Sequence, residues 1–208
     1  MKLLAIIIAF LNTIFNTSPP TPLLNSGEGR YVYVVNSNIE LISNFSEKKS
    51  AKDLMKENGC VAGINGGFYT EDNKPLGLFI NDYKLVQKES SSLLFNGFVS
   101  EKGISRNMPT DVKWGFQTGP MLVDEDRGLK IEIREDRPAR RSVIGVNKLG
   151  EFVFISTDPV NLEDLPEKIK NLNLVTAVNL DGGSAAAFYS PDMTISESSP
   201  VGSWLCAK

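Results

Sequence analysis

One stretch combines a carboxylate with very small neighbours: "NLDGGSAAA", residues 179–187, which ends an apolar run. Side chains alternate between the two faces of a strand, so Asn179 and Asp181 share a face. The two glycines that follow allow unusual backbone angles and a close approach by a ligand, and their amides could form an anion-binding nest. The alanines leave open volume. The stretch predicts a ligand site built around one carboxylate.

A second segment has the same pattern, in which a strand ends at a polar residue and two glycines follow; we call each such segment a corner. In "GINGGFY" a buried strand ends at Asn65, and Gly66 and Gly67 follow. A lone diglycine is usually a turn or a β-bulge. Two such corners, each preceded by a polar Asn or Asp, favour the two walls of a single pocket.

Two arginines stand at the entry of a later strand. In "PARRSVIG", alternation places Arg140 and Arg141 on opposite faces, so one points to solvent and the other to the working face of the sheet. A planar guanidinium is a natural bidentate partner for phosphate. On these residues alone, a solvated arginine pair is the alternative. The stretch "QTGPML" by itself indicates only a bend before a strand.

The composition restricts the chemistry. The chain has 208 residues, a net charge of −3 and no histidine. Without histidine there is no Ser-His-Asp triad, no Cys-His dyad and no histidine metal site. Acid–base chemistry must therefore use carboxylates, Lys, Tyr, Cys or a metal. The mild acidity argues against a nucleic-acid partner, which would require a basic stripe.

The N-terminus of the chain indicates export. Residues 1–25 combine Lys2, an apolar run and a Pro-containing tail, which predicts a signal peptide or an uncleaved N-terminal anchor followed by a linker. Residues 26–208 are then one domain. Export would permit a disulfide between Cys60 and Cys206, and two buried free thiols are the alternative.

The remaining elements are mostly strands. Hairpins are predicted around Asn36 to Asn38, at Asn81-Asp82 and at Lys148 to Gly150. One helix is predicted from a capping box at Ser50 to a stop at Gly59, and a second, delayed by its proline, in "NLEDLPEKIKNLNL". We therefore expect an α+β fold, with a mostly antiparallel twisted β-sheet and two short helices packed on it.

Four motifs in this order resemble the phosphodiester glycosidase domain family, whose members include N-acetylglucosamine-1-phosphodiester alpha-N-acetylglucosaminidase. The resemblance runs from about Arg30 to Lys208. The sequence departs from the family pattern at two positions. The third glycine after Asp181 is missing, and Ser142 stands where the family has threonine. Asp158 is followed by proline where the family often has glycine. The matching segments are Asn65-Gly66-Gly67-Phe68, Gly119-Pro120-Met121-Leu122-Val123, Arg141-Ser142-Val143-Ile144-Gly145 and Asn179-Leu180-Asp181-Gly182-Gly183-Ser184.

The resemblance implies hydrolysis of the sugar C1–O bond of a sugar-1-phosphodiester. Asp181 is then the expected carboxylate, as base, nucleophile or electrostatic stabiliser, and Arg141 the phosphate clamp. Asp158 is a second carboxylate candidate, with Glu71 and Asp72 behind it. The expected substrate-binding positions are Asn65, Gly66, Gly67, Phe68, Gly119, Asn179, Gly182, Gly183 and Ser184, in which the glycine amides and Ser184 assist phosphate binding and the asparagines hold sugar hydroxyls or order the site.

Two alternatives remain at this stage. The domain could be a non-catalytic binding module for a cell-surface polysaccharide. It could also be a metal-dependent phosphodiesterase, although such a site usually needs clustered His and carboxylates, and this chain has neither histidine nor a dense Asp/Glu motif. No cofactor is required, although a single divalent cation could bind near Asp181, and the metal question stays open. A bacterial, exported protein of this family would meet exopolysaccharide, teichoic-acid-like or glycolipid phosphodiesters, with membrane contact only through an uncleaved N-terminus.

Overall fold

The structure, a computed structural model, describes residues 29–208. The signal peptide or anchor expected in residues 1–25 lies outside the described residues. Within them, every strand pairing is antiparallel and the strands form three sheets. The α+β prediction is confirmed, with the strands divided among three sheets instead of one. No helix between residues 29 and 208 is long and apolar enough to cross a membrane.

Sheet I has six strands and carries the Arg141 and Asp181 motifs at its centre. Its strands, numbered here and below in chain order and given in spatial order, are β1 (Arg30–Val35), β12 (Phe152–Thr157), β11 (Ser142–Asn147), β13 (Leu174–Asn179), β9 (Met121–Asp124) and β10 (Arg127–Gly128).

Sheets II and III have five strands each. Sheet II consists of β15 (Thr194–Ile195), β14 (Phe188–Tyr189), β3 (Ala62–Asn65), β16 (Ser203–Ala207) and β2 (Ile39–Ser43). Sheet III consists of β5 (Lys84–Gln87), β4 (Phe79–Asn81), β8 (Gly115–Thr118), β6 (Gly97–Ser100) and β7 (Gly103–Ser105).

The hairpin predicted around Asn36 to Asn38 is wrong. β1 pairs with β12 over its whole length, while β2 pairs with β16 in another sheet. The reason is that β1 is apolar on both faces. Tyr33 belongs to one core cluster and Val32 to another, so the strand needs packing on both sides, which a two-stranded hairpin cannot provide. The other two hairpins, β4–β5 and β11–β12, form as predicted.

Both helices begin and end for local reasons. Helix α1 (Ala51–Asn58) has Ser50 as its N-cap, whose Oγ accepts the Asp53 amide at 3.2 Å, and it ends at Gly59 in the left-handed conformation. Helix α2 (Leu165–Ile169) carries its proline in the first turn and continues into a single 3-10 turn. α1 packs on sheet II and α2 on sheet I, so each helix covers an apolar sheet face.

A disulfide joins Cys60 to Cys206, which decides between the two alternatives for these cysteines. Cys60 lies just before β3 and Cys206 lies within β16, and these two strands are hydrogen-bonded neighbours. The bond closes a loop between residues 146 apart in sequence. It holds the C-terminal strand against the strand that leads to Asn65.

We predict that the double variant Cys60→Ala/Cys206→Ala lowers the free energy of unfolding by about 4–5 kcal/mol, because a long loop regains its freedom in the unfolded chain. Urea denaturation with and without a reducing agent measures the effect. Reduction should destabilise the wild type and leave the double variant unchanged. Equal stability of the two proteins under oxidising conditions would contradict the prediction.

Candidate active site

The four motifs meet around one cavity of about 380 Å³. Each motif contributes at least one residue to its wall, although the motifs are far apart in the chain. The convergence supports the expectation that the two diglycine corners form one pocket. The motif residues on the wall are Phe68, Gly119, Pro120, Arg141, Asn179, Leu180, Asp181 and the two glycines that follow Asp181.

Asn65 joins the two corners. Its Nδ2 donates to the carbonyl of Asp181 at 2.7 Å, and the Asp181 amide donates to the carbonyl of Gly66 at 3.1 Å. Its Oδ1 accepts hydrogen bonds from Ser142 Oγ at 2.6 Å and from the Ala187 amide at 3.0 Å. Asn65 is 1% exposed and does not line the cavity. Of its two expected roles, the geometry therefore supports ordering the site and does not support contact with sugar hydroxyls.

Gly66 and Gly67 are required by close packing. A Cβ on Gly66 would lie 2.2 Å from Ser203 Oγ, and a Cβ on Gly67 would lie 3.0 Å from the ring of Phe116. Neither glycine lines the cavity. Their lack of a side chain lets the segment that leads to Phe68 pack closely against Ser203 and Phe116.

Asn179 presents an unused acceptor. Its Nδ2 donates to the carbonyl of Gly119 at 3.0 Å, which sets the orientation of the amide. Its Oδ1 is buried and has no hydrogen-bond partner among the described residues. A buried acceptor without a partner is costly unless a ligand supplies a donor. Asn179 is therefore placed to accept a hydrogen bond from a bound hydroxyl or amide.

Arg141 is held rigidly at the cavity wall. Its Nε donates to the carbonyl of Val160 at 3.1 Å, and its Nη2 donates to Asp136 Oδ1 at 3.0 Å and to the carbonyl of Arg137 at 2.9 Å. Burial lowers the pKa of the guanidinium, and the charge of Asp136 opposes that shift. Arg140 instead bonds the Thr157 carbonyl, so the two arginines diverge as alternation predicts. Arg141 is the arginine available to an anion in the cavity.

Asp181 is the carboxylate of the cavity. Burial raises its pKa from 3.8 to about 6, and the hydrogen bond that Oδ1 accepts from the Gly182 amide at 2.8 Å opposes the shift. Its negative charge also adds to burial in raising the pKa of Tyr69. At neutral pH the partly buried carboxylate is mainly ionised. Asp181 therefore places a negative charge in the cavity, where it can stabilise a positive charge that develops on a bound substrate.

The expected anion nest after Asp181 does not form. The Gly182 amide donates to Asp181 Oδ1, and the Gly183 amide donates to the carbonyl of Arg140 at 2.9 Å. Both amides therefore already have acceptors. The two glycines instead meet local backbone requirements: a Cβ on Gly182 would lie 2.9 Å from the Arg140 carbonyl, and Gly183 has a φ of +59°.

Four other candidates lie away from the cavity. Asp158 follows the end of β12, is exposed, pairs with Arg140 at 3.5 Å and donates its amide to the carbonyl of Gly29. Ser184 is exposed and does not line the wall. Glu71 and Asp72 are exposed in a turn after Phe68. The structure does not bring these side chains together with Asp181.

Sequence reasoning missed two contributors. Asp136 lies in the charged run "REDRP", which reads as solvated surface, yet its side chain is 9% exposed, and it holds Arg141 and accepts the Glu163 amide at 3.0 Å. Phe95 stacks on Phe68 with ring centroids 5.1 Å apart and forms the apolar side of the cavity. An acid five residues before a candidate arginine was the available signal for Asp136. Residues 29–208 contain no cluster of three or more His, Cys, Asp or Glu that could hold a metal ion.

A sequence model of the phosphodiester glycosidase family matches residues 58–205, and the chain belongs to this family. The match covers all four motifs that line or order the cavity.

Among individual proteins, the chain is similar to the N-acetylglucosamine-1-phosphodiester alpha-N-acetylglucosaminidase of Bos taurus, with 21% identity over 174 residues. The alignment covers 68% of this chain and 33% of the bovine protein, so the chain spans about a third of that relative.

Solved structures show the same fold. The auto-inhibited catalytic domain of the zebrafish N-acetylglucosamine-1-phosphodiester alpha-N-acetylglucosaminidase superposes with a TM-score of 0.68 at 17% identity, covering 86% of this chain and 76% of that one. A hypothetical protein from Synechocystis superposes with a TM-score of 0.59 at 14% identity, covering 85% of this chain and 58% of that one.

We predict that Asn65→Ala lowers the free energy of unfolding by about 3 kcal/mol, because Ser142, Ala187 and Asp181 each lose a buried partner. Chemical denaturation measures the change. Asn36→Ala, in the exposed loop before β2, is the control and should change stability by about 0.5 kcal/mol or less. Similar small losses in both variants would show that Asn65 does not join the corners.

We also predict that Asp181→Asn stabilises the protein at about pH 7.5 by about 2–3 kcal/mol. The folded-state pKa is raised above the unfolded value, so the stability contributed by protonated Asp181 is complete below about pH 4 and lost as the pH rises through about 6. Asparagine keeps the shape without the charge. Thermal melts across this pH range should show the gain shrinking toward pH 4, whereas a gain independent of pH would contradict the assignment.

Proposed function

We propose that this protein hydrolyses the C1–O bond of a sugar-1-phosphodiester. The observation that carries the proposal is the convergence of Asp181, Arg141 and Asn179 on one cavity in a chain of the phosphodiester glycosidase family. The name of the bovine relative, which denotes cleavage at an N-acetylglucosamine-1-phosphodiester, supports an N-acetylglucosamine-like sugar.

Each cavity residue has a role in this proposal. Arg141 binds the phosphate with its Nη1 side, since its Nε and Nη2 bond protein acceptors. Asn179 accepts a hydrogen bond from the sugar, and the stacked Phe68 and Phe95 provide an apolar face for the ring. Among the described residues that line the cavity, Asp181 supplies the carboxylate, which stabilises the oxocarbenium-like charge at C1.

The leaving group explains why one carboxylate suffices. A phosphate monoester departs already ionised, so it needs little protonation by a general acid. The water oxygen forms the new bond to C1, the C1–O bond to phosphate breaks, and the water proton passes to Asp181 or to solvent. Because the ionised carboxylate is the active form, kcat/KM rises with pH through about 6, the pKa of Asp181. A fall above this pH would instead assign Asp181 as a general acid.

We propose that the protein acts outside the cytoplasm on a glycan of the cell envelope or an exopolysaccharide. The Cys60–Cys206 disulfide supports an oxidising compartment, and the apolar stretch near the N-terminus supports export. A non-catalytic polysaccharide-binding module is the alternative, because the cavity could bind a sugar phosphate without cleaving it.

The test uses oxygen-18 water with UDP-N-acetylglucosamine and a panel of other sugar-1-phosphodiesters. We expect the label in the free sugar, detected by mass spectrometry. Asp181→Asn and Arg141→Ala should each lower kcat/KM by at least about a hundredfold, since each removes a charged contact in the transition state. Asp158→Asn, outside the cavity, is the matched control and should retain activity.

Label in the phosphate would mean P–O cleavage and would overturn the mechanism. Binding of these compounds without turnover, unchanged by Asp181→Asn, would favour the binding module.

A further inference from the structure

One acidic side chain in the loop before β11 is buried although its neighbours face solvent. Residues 129–141 form neither a helix nor a strand, and the two residues on each side of Asp136 are exposed. The side chain of Asp136 itself is only 9% exposed. A carboxylate is costly to bury unless charged or polar partners surround it. The partners of Asp136 therefore decide what its burial achieves.

The two oxygens of Asp136 bond two different segments of the cavity wall. Oδ1 accepts from Arg141 Nη2 at 3.0 Å and from the neighbouring Arg137 amide at 2.8 Å. Oδ2 accepts from the Glu163 amide at 3.0 Å. Arg141 lines the cavity, and Glu163 directly follows Leu162, which also lines it. One carboxylate thus holds the arginine and the segment that carries an apolar part of the wall.

The same two segments are also joined through their backbones. Ala139 and Val160 form an isolated antiparallel bridge, with amide-to-carbonyl distances of 3.2 and 3.0 Å. The Val160 carbonyl also accepts from Arg141 Nε at 3.1 Å. The bridge fixes the backbone beside the arginine, and Asp136 fixes the far end of its side chain. With Nε and Nη2 bonded to the protein, Nη1 is the nitrogen left for a ligand.

We propose that Asp136 is a positioning residue for phosphate binding, which acts on the substrate only through Arg141 by holding its guanidinium at the cavity wall. This inference rests on the proposed function for the identity of the ligand. A mobile arginine loses side-chain freedom when it binds an anion, and that loss weakens binding. A guanidinium that is already fixed by protein acceptors avoids this cost, so it binds the anion more tightly.

An asparagine cannot replace Asp136 in this arrangement. Three donors converge on the carboxylate: Arg141 Nη2 and the amides of Arg137 and Glu163. An asparagine side chain has one acceptor oxygen, so its NH2 group would face at least one of these donors. It would also lack the charge that pairs with the guanidinium. We therefore expect Asp136→Asn to release Arg141 from its fixed position.

The affinity of the full chain for N-acetylglucosamine-1-phosphate tests the proposal and is measured by phosphorus NMR titration. We expect Asp136→Asn to raise Kd about tenfold, the effect of about one charge-assisted hydrogen bond. Once Arg141 is alanine, Asp136→Asn should change Kd by less than about twofold, because a residue that acts through Arg141 has no effect without it. The control Asp124→Asn breaks an Asp–Arg pair of 2.9 Å with Arg106 outside the cavity and should leave Kd unchanged.

Arg141→Lys tests the same point with Asp136 in place, and it decides the matter if Asp136→Asn does not fold. An ammonium group is a point charge, so it cannot bond Asp136 and a phosphate in the fork geometry of a guanidinium. We expect this variant to raise Kd at least about tenfold although the positive charge is kept. Thermal melts establish that each compared variant is folded at the assay temperature.

Free guanidinium ion tests Asp136 as the group that holds the cation. At concentrations well below those that denature, guanidinium chloride should lower the Kd of Arg141→Ala at least about threefold, because Asp136 binds the ion where the side chain was. It should have no effect on Asp136→Asn/Arg141→Ala. Potassium chloride at the same concentration controls for ionic strength.

The outcomes separate this inference from the proposed function. Equal Kd values for Asp136→Asn and the wild type, or the same loss with and without Arg141, overturn the positioning role. Tighter binding by Asp136→Asn overturns it as well, because the charge of Asp136 would then mainly repel the anion. A wild-type Kd in Arg141→Lys, or rescue by guanidinium without Asp136, does the same. A wild type that binds the sugar phosphate but cleaves no sugar-1-phosphodiester overturns the proposed hydrolysis alone.

Discussion

The cavity depends on one buried amide, that of Asn65. The amide group of Asn65 both donates and accepts hydrogen bonds. Its Nδ2 donates to the Asp181 carbonyl, and its Oδ1 accepts from Ser142 Oγ and from the amide of Ala187. Together with the hydrogen bond from the Asp181 amide to the Gly66 carbonyl, these contacts join the end of β3 in sheet II to the end of β13 in sheet I. Because every one of these polar groups is buried, leaving any unpaired would be costly, so the relative position of the two corners is tightly specified.

The two charged side chains of the cavity, Arg141 and Asp181, differ in the number of protein contacts that hold them. Arg141 has a buried partner in Asp136 and two carbonyl acceptors, so its position is set before a ligand arrives. Asp181 has a single amide donor and a pKa raised by burial to about 6. The protein thus fixes the position of the cation through three hydrogen bonds and gives the carboxylate only one. A partly buried carboxylate held in its ionised form is costly for folding and useful at a reaction centre that becomes positive.

The wall of the cavity changes character from one side to the other. Asn179, Arg141 and Asp181 form a polar side, while Phe68, Phe95 and Leu94 form an apolar side. In the proposed function, the polar side takes the phosphate and the polar groups of the sugar, and the stacked Phe68 and Phe95 take the apolar face of the sugar ring.

The sequence by itself determined the features that rest on neighbours a few residues apart. It showed the capped helix α1, the short-turn hairpins β4–β5 and β11–β12, the alternation that separates Arg140 from Arg141, and the four motifs that identify the family. The lack of histidine left carboxylates, Lys, Tyr, Cys or a metal for acid–base chemistry, and the family resemblance made Asp181 the expected carboxylate. Only the tertiary structure showed that β1 and β2 lie in different sheets and that Asp158 lies outside the cavity. It also showed that the amides of Gly182 and Gly183 already have acceptors, that Cys60 pairs with Cys206, and that Asn65 joins the two corners. Each of these depends on which distant group supplies the other half of a contact, and one-dimensional spacing carries no information about partners that lie in other strands.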